Sequence, residues 1–138
     1  MDKKVIDKKI ENLIKKAGSN DLEDIISYLG IKIIKESKKS FYCQIKDKKY
    51  IYLDAKAPDD LRPFILAHEL GHAILHQEEI NHYSPLSITK TATEREADYF
   101  AFKILGKEID TSYNYTISQY AKLLDVTEET IKYIMITN

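Results

Sequence analysis

A single cysteine, Cys43, stands in a chain of 138 residues, and no apolar run approaches the roughly 20 residues that a membrane span requires. The first scarcity excludes an internal disulfide and suits a reducing compartment. Cys43 reads as a half-buried strand residue, since nothing around it supports a Cys–His nucleophile. The second scarcity excludes a spanning helix, and the lysine-rich start lacks the apolar stretch of a secretory signal. A cytoplasmic protein without membrane contact is expected. Net charge is also scarce, −1 at pH 7, which argues against a protein whose main business is the phosphate backbone of nucleic acid. The charge is nevertheless uneven: residues 1–56 carry fourteen lysines against nine acids, and residues 57–138 carry seven basic residues against thirteen acids. The lysines are not interleaved with the aromatic residues that single-strand binding favours, so the basic half reads as a solvated surface, with a docking face for an acidic partner as the alternative.

What is present is a chain of 16.0 kDa that is 43% hydrophobic, enough for one core of ordinary size and hence a single domain over residues 1–138. Val5, Ile6, Ile10, Leu13 and Ile14 recur at helical spacing, and Gly18 supplies a stop. Asn20 or Asp21 can cap a second, shorter helix carrying Leu22, Ile25, Ile26 and Leu29 and ending at Gly30. The period then changes. Residues 31–35, 41–45 and 50–53 are short β-branched or aromatic runs separated by polar turns, which predicts a three-stranded antiparallel meander. Such a sheet offers an edge to which an extended peptide can add as a strand, although it can equally serve as plain support for a helix.

The centre of the chain is Ala67-His68-Glu69-Leu70-Gly71-His72. Two imidazoles four positions apart on one helix lie about 6 Å apart along its axis and about 40° apart around it, so both can reach one ion. Glu69, roughly 100° around from His68, sits beside such an ion, placed as a general base rather than a ligand. The spelling His-Glu-x-x-His thus predicts two zinc ligands and the base of a metal-dependent hydrolase. The helix is expected to start behind Asp59 as cap, to run to about His76 and to be apolar nearly all round, hence buried. Gly71, costly inside a helix by about 1 kcal/mol relative to alanine, suggests that another backbone comes close.

Residues 77–92 show little periodicity and read as a loop bordering the site, with His82 and Tyr83, together with His76, as candidates for stabilising an oxyanion. Helical spacing resumes near Thr93, with capping-box spacing at Thr91/Glu94 and Thr93/Glu96. There Glu94 and Asp98 fall at i and i+4 on the side of Ala97, Ala101 and Leu105, while Arg95, Glu96 and Lys103 make the polar outside. Ala97 and Ala101 are expected to nest against Gly71 and Ala67 and bring Glu94 to the ion. His68, His72 and Glu94 then make three ligands, leaving a fourth position for water as in catalytic zinc sites. Asp98 would accept the other ring N–H of one ligand histidine, either His68 or His72.

Gly106 ends that helix. Thr116 with Gln119 forms a further capping box, followed by Ile117, Tyr120, Ala121 and Leu124; after a turn at residues 125–127, Ile131, Ile134 and Met135 lie on a last helix. The spacing gives residues 115–138 the look of a helix-turn-helix subdomain, with Thr127 as cap of its second helix. That helix opens with Glu128 and Glu129, which repel phosphates and argue against DNA contact.

Residues 61–76, Leu-Arg-Pro-Phe-Ile-Leu-Ala-His-Glu-Leu-Gly-His-Ala-Ile-Leu-His, followed by Glu94-Arg95-Glu96-Ala97-Asp98-Tyr99-Phe100-Ala101, closely resemble the ImmA/IrrE family of small metallopeptidases. The resemblance implies an α+β, zincin-like domain: N-terminal helices, a small antiparallel sheet, the buried His-Glu-x-x-His helix, a glutamate-bearing helix and a helix-turn-helix-like pair. It implies a cytoplasmic zinc protease of a bacterium or mobile element, with one Zn2+ per chain. Its substrate would be a helix-turn-helix transcriptional repressor, cleaved to relieve repression. By motif His68, His72 and Glu94 correspond to the family's metal ligands, Glu69 to its catalytic acid/base, and Asp98 to a position where many members have Asn or Asp. One departure is the run Phe102-Lys103-Ile104-Leu105-Gly106, where members more often end in Met-Pro. Two other classes compete: a repressor-binding module that does not cut, for which Glu69 would be superfluous, and a DNA-binding regulator using the C-terminal helices.

Overall fold

The structure, a computed structural model, describes residues 1–76 and 89–136. Among these, six α-helices and a three-stranded sheet make a mixed α+β fold. Helix α1 (Lys3–Ala17) is capped by the Asp2 side chain and closed by Gly18 at φ 71°, and α2 (Leu22–Tyr28) is capped by Asp21, which settles the choice between Asn20 and Asp21. Gly30, at φ 72°, turns the chain into the sheet, as the left-handed region admits glycine without a Cβ clash. Ile6, Ile10, Leu13, Ile25 and Ile26 form the floor of the core.

The strands are β1 (Ile31–Ser37), β2 (Phe41–Ile45) and β3 (Lys48–Asp54), but they do not form a meander. Their order is β1-β3-β2, with β3 parallel to β1 and antiparallel to β2. The expected order fails because adjacency in sequence does not decide which strand takes the centre. Ile51 and Leu53 of β3 are buried at 0% and 4% exposure, whereas β2 ends in exposed Gln44 and Ile45. Placing β3 between its neighbours keeps its two inward aliphatic side chains from water, each worth about 1.5–3 kcal/mol. β2 itself then serves as the connection between the parallel pair, and Lys46 at φ 57° makes the tight turn into β3.

A short 3-10 turn, Asp59–Leu61, leads into α3 (Arg62–Leu75), which carries the His-Glu-x-x-His segment. Asp59 is not the cap: the helix starts at Arg62 without a side-chain cap, and Pro63 occupies its first turn, where no backbone N–H is needed. Helix α3 is buried over most of its surface, as its composition predicts, with Phe64, Leu66, Ala67, Leu70 and Ala73 in the core. It packs against β2, β3 and, most extensively, α4 (Thr89–Ile104). Helix α4 begins earlier than expected, so residues 89–92 are helix rather than loop, and Thr91 and Thr93 lie inside it instead of capping it. His82, Tyr83 and the rest of the expected loop up to residue 88 lie outside the described residues.

Helix α5 (Ile117–Leu124) opens on the expected Thr116/Gln119 capping box, and α6 (Glu128–Ile136) is capped by Thr127, whose hydroxyl accepts from the Thr130 amide at 3.2 Å. Ile131 and Ile134 face inward, but Met135 is 41% exposed and belongs to the outer face. Helix α6 packs on α4 as well as α5, with Tyr133 and Tyr99 edge to face at 6.3 Å between ring centres. Among the described residues no helix is long and apolar enough to cross a membrane.

Candidate metal centre

Gly71 sets the distance between the two helices that build the site. A Cβ placed on it would lie 3.2 Å from Ala97 Cα, Ala97 O and Phe100 Cβ. Helix α3 therefore approaches α4 backbone to backbone, the close contact that a glycine inside a helix implied. With the axes so near, the side chains of Glu94 and Asp98 on α4 reach the imidazoles of His68 and His72 on α3.

His68 Nε2 lies 2.9 Å from Glu94 Oε2, and His72 Nε2 lies 3.0 Å from Glu94 Oε1. The donor atoms of His68, His72 and Glu94 all fall within 4.8 Å of one another, the only such triple of His, Cys, Asp or Glu among the described residues. Nitrogen and carboxylate donors at this separation are those that first-row divalent ions take. The remaining ring nitrogens are engaged behind the site, so the Nε2 atoms are the ones presented to an ion. His68 Nδ1 is 2.7 Å from Asp98 Oδ1, which identifies His68 as the histidine that Asp98 meets. Glu94, Asp98, His68 and His72 are thus brought together as the sequence predicts.

The electrostatics follow from burial and these bonds. Burial would lower the His68 pKa, but hydrogen bonds to Asp98 and Glu94 outweigh it and raise it from 6.5 to about 10. Burial likewise favours a neutral Glu94, yet bonds from both imidazoles hold its carboxyl well below the usual range. Glu69, 7% exposed, is moved the other way: burial raises its pKa, opposed by the nearby His68 and His72 and by the Tyr42 backbone N–H, which donates to it. A carboxyl whose affinity for a proton is raised, next to two imidazoles, is equipped to take up and release one.

Periodicity misplaces one residue of the site's surroundings. Glu96, expected on the polar outside, has a side chain only 13% exposed; it accepts from His76 Nε2 at 2.8 Å through Oε1 and takes the Met1 amino group at 2.6 Å through Oε2. His76, a candidate oxyanion partner, is 3% exposed and lies behind the site, its Nδ1 3.0 Å from His72 Nδ1. The available signal was the i, i+4 spacing of His72 and His76, which stacks their rings on one side of α3. A separate cavity of about 630 Å3, walled by Leu22, Ile33, Leu53, Arg62, Leu66 and Ile104 among others, holds none of these side chains.

The peptidase M78 family model, described as the IrrE N-terminal-like domain, matches residues 26–133. The chain is 29% identical to immunity region protein 2 of Bacillus phage phi105, a match covering 94% of this chain and 79% of the relative. No solved structure matches the chain.

Proposed function

The chain belongs to the M78 peptidase family, with its IrrE N-terminal-like domain, and from that premise we propose that it is a zinc-dependent endopeptidase with one Zn2+ per chain. The observation that carries this reading is the convergence of His68, His72 and Glu94 within 4.8 Å. In it, the two Nε2 atoms and a Glu94 oxygen would hold the ion, the three-ligand count of catalytic rather than structural zinc sites. When bound, zinc polarises a carbonyl and makes water more acidic. Glu69 is the general base: its carboxylate takes the proton of the attacking water and returns it to the amine nitrogen that leaves when the C–N bond breaks. Asp98 fixes the His68 ring by accepting its Nδ1–H.

A peptide suits the site better than a small molecule. β2 is an edge strand, and its Tyr42 N–H points at Glu69, so an extended chain laid beside β2 would pass the base. The phage relative is named for an immunity region, which supports a helix-turn-helix repressor as the substrate and relief of repression as the outcome. The chain, residues 1–138, acts on this reading as one cytoplasmic metallopeptidase domain, with residues 115–138 as a helix-turn-helix-like end. The outer face of α6 holds Glu128, Glu129, Lys132 and Met135, a poor match to phosphates, which supports a protein partner over DNA.

The test is incubation of the zinc-loaded protein with a repressor encoded beside it, fragments being identified by mass spectrometry. Cleavage by the native protein and none by Glu69→Gln is expected. Cleavage that persists in Glu69→Gln would remove Glu69 from its role, and binding without cleavage by the native protein would replace the enzyme by a sequestering module.

A further inference from the structure

His76 and Glu96 lie outside the three-ligand set, yet both are turned toward it. His76 is a histidine at 3% exposure in a largely apolar helix, and its two ring nitrogens are spent on two specific partners, His72 Nδ1 at 3.0 Å and Glu96 Oε1 at 2.8 Å. We propose that His76 and Glu96 are positioning residues for the metal centre, a two-bond relay that fixes His72 in the tautomer that presents Nε2 to the ion. The inference rests on the metal-site reading above.

Donors and acceptors alternate along this line of side chains. An ionised carboxylate only accepts, so His76 Nε2 must carry the hydrogen it gives to Glu96. A neutral His76 then has a bare Nδ1, which can only accept. His72 Nδ1 can therefore carry the hydrogen between the two rings, which leaves Nε2, the atom 3.0 Å from Glu94, to give its lone pair to an ion that would replace its hydrogen bond to that carboxylate. The carboxylate of Glu96 thus bears on His72 through the His76 ring. Glu96 is itself held from its other side, Oε2 accepting from the Met1 amino group at 2.6 Å. His68 reaches the same end in one bond, through Asp98. The ligand histidines are thus oriented by different devices: a carboxylate directly behind His68, and an imidazole interposed before the carboxylate behind His72. A side chain placed only to fill space would not need two aligned polar contacts, and a buried imidazole without acceptors would be costly.

Zinc affinity, read by competition with a chromophoric chelator, separates this role from packing. His76→Phe keeps a ring in the cavity and removes the acceptor for His72 Nδ1; a 10- to 100-fold loss of zinc affinity is expected, the range for partners behind a metal ligand. His76→Asn is smaller, but its side-chain oxygen stands near the place of Nδ1 and can accept, so it should regain most of that loss. If packing were the only role the order would reverse, with the phenylalanine variant the better. Glu96→Ala, which leaves both rings in place, should show a smaller loss. In the zinc-loaded native protein, nitrogen-15 NMR should show His72 protonated at Nδ1, a signal weakened in His76→Phe. Native-like zinc affinity in both His76→Phe and Glu96→Ala overturns the relay while leaving the metal site standing. Failure of the native protein itself to bind zinc overturns both.

Discussion

His68 Nδ1 and Asp98 Oδ1, 30 residues apart in the chain, lie 2.7 Å from each other across the contact between α3 and α4. The bond joins the two helices and leaves His68 Nε2 toward Glu94, 2.9 Å away. Orientation of the ring and docking of the helices are thus the same interaction. Asp98→Ala should lower zinc affinity by roughly 10- to 100-fold, and Asp98→Asn by less, since its carbonyl can still accept Nδ1–H. Chelator competition on the two variants checks the order; equal affinity in native and Asp98→Ala would show that the ring is held without Asp98.

Glu69→Gln should separate chemistry from folding. Burial raises the Glu69 pKa, so the ionised form is disfavoured in the folded chain. A raised carboxyl pKa favours folding only below the unfolded value and costs stability above it. At neutral pH the neutral glutamine should therefore melt no lower than the native protein, while peptide cleavage is abolished. Thermal unfolding of the two proteins, each zinc-loaded, reads this directly.

Gly71→Ala sets two small effects against each other. Alanine gains about 1 kcal/mol of helix propensity, whereas overpacking typically costs 1–3 kcal/mol, roughly. Two of the three atoms that the new Cβ would meet at 3.2 Å are backbone atoms of Ala97, which cannot move unless α4 moves. Net destabilisation of about 1 kcal/mol is expected, with weaker zinc binding because α4 carries Glu94. A denaturant titration beside the zinc measurement checks both; a variant more stable than native would show that α4 shifts at no cost.

Tyr99 ties α4 to α1 through a 2.8 Å bond from its hydroxyl to Asp7. Burial, and then that bond, raise its pKa above the ordinary 10. As pH rises through 10 the unfolded chain loses the phenolic proton first, so the stability it confers is complete below that pH and declines above it. Tyr99→Phe should cost about 1–2 kcal/mol at neutral pH and flatten the alkaline decline. Stability measured between neutral pH and pH 11 tests both halves.

The local features were legible in the sequence. Gly18 and Gly30 close α1 and α2 at positive φ, Asp21 and Thr116 cap the helices they precede, and the spacing of His68, Glu69 and His72 places them on one helix. Glu94 and Asp98 were readable because their i, i+4 spacing lies on the side of small apolar residues. All of these depend on neighbours within about one helical turn, which periodicity and capping chemistry report directly.

What only the tertiary structure decided is pairing between distant segments. Periodicity marks three strands but not that β3 lies between the other two, because the strand that takes the centre is selected by total burial. It marks Glu96 as an outward residue because a helix is read as having one inner face, whereas α4 packs against α1, α3 and α6 and keeps few solvated positions. For the same reason Asp98 could be paired with either ligand histidine on paper, and His76 had no assigned partner. Hydrogen bonds between side chains act over about 3 Å, so their partners are set by how closely α3 and α4 approach. Gly71 in the sequence allows that approach, and only packing against Ala97 and Phe100 realises it.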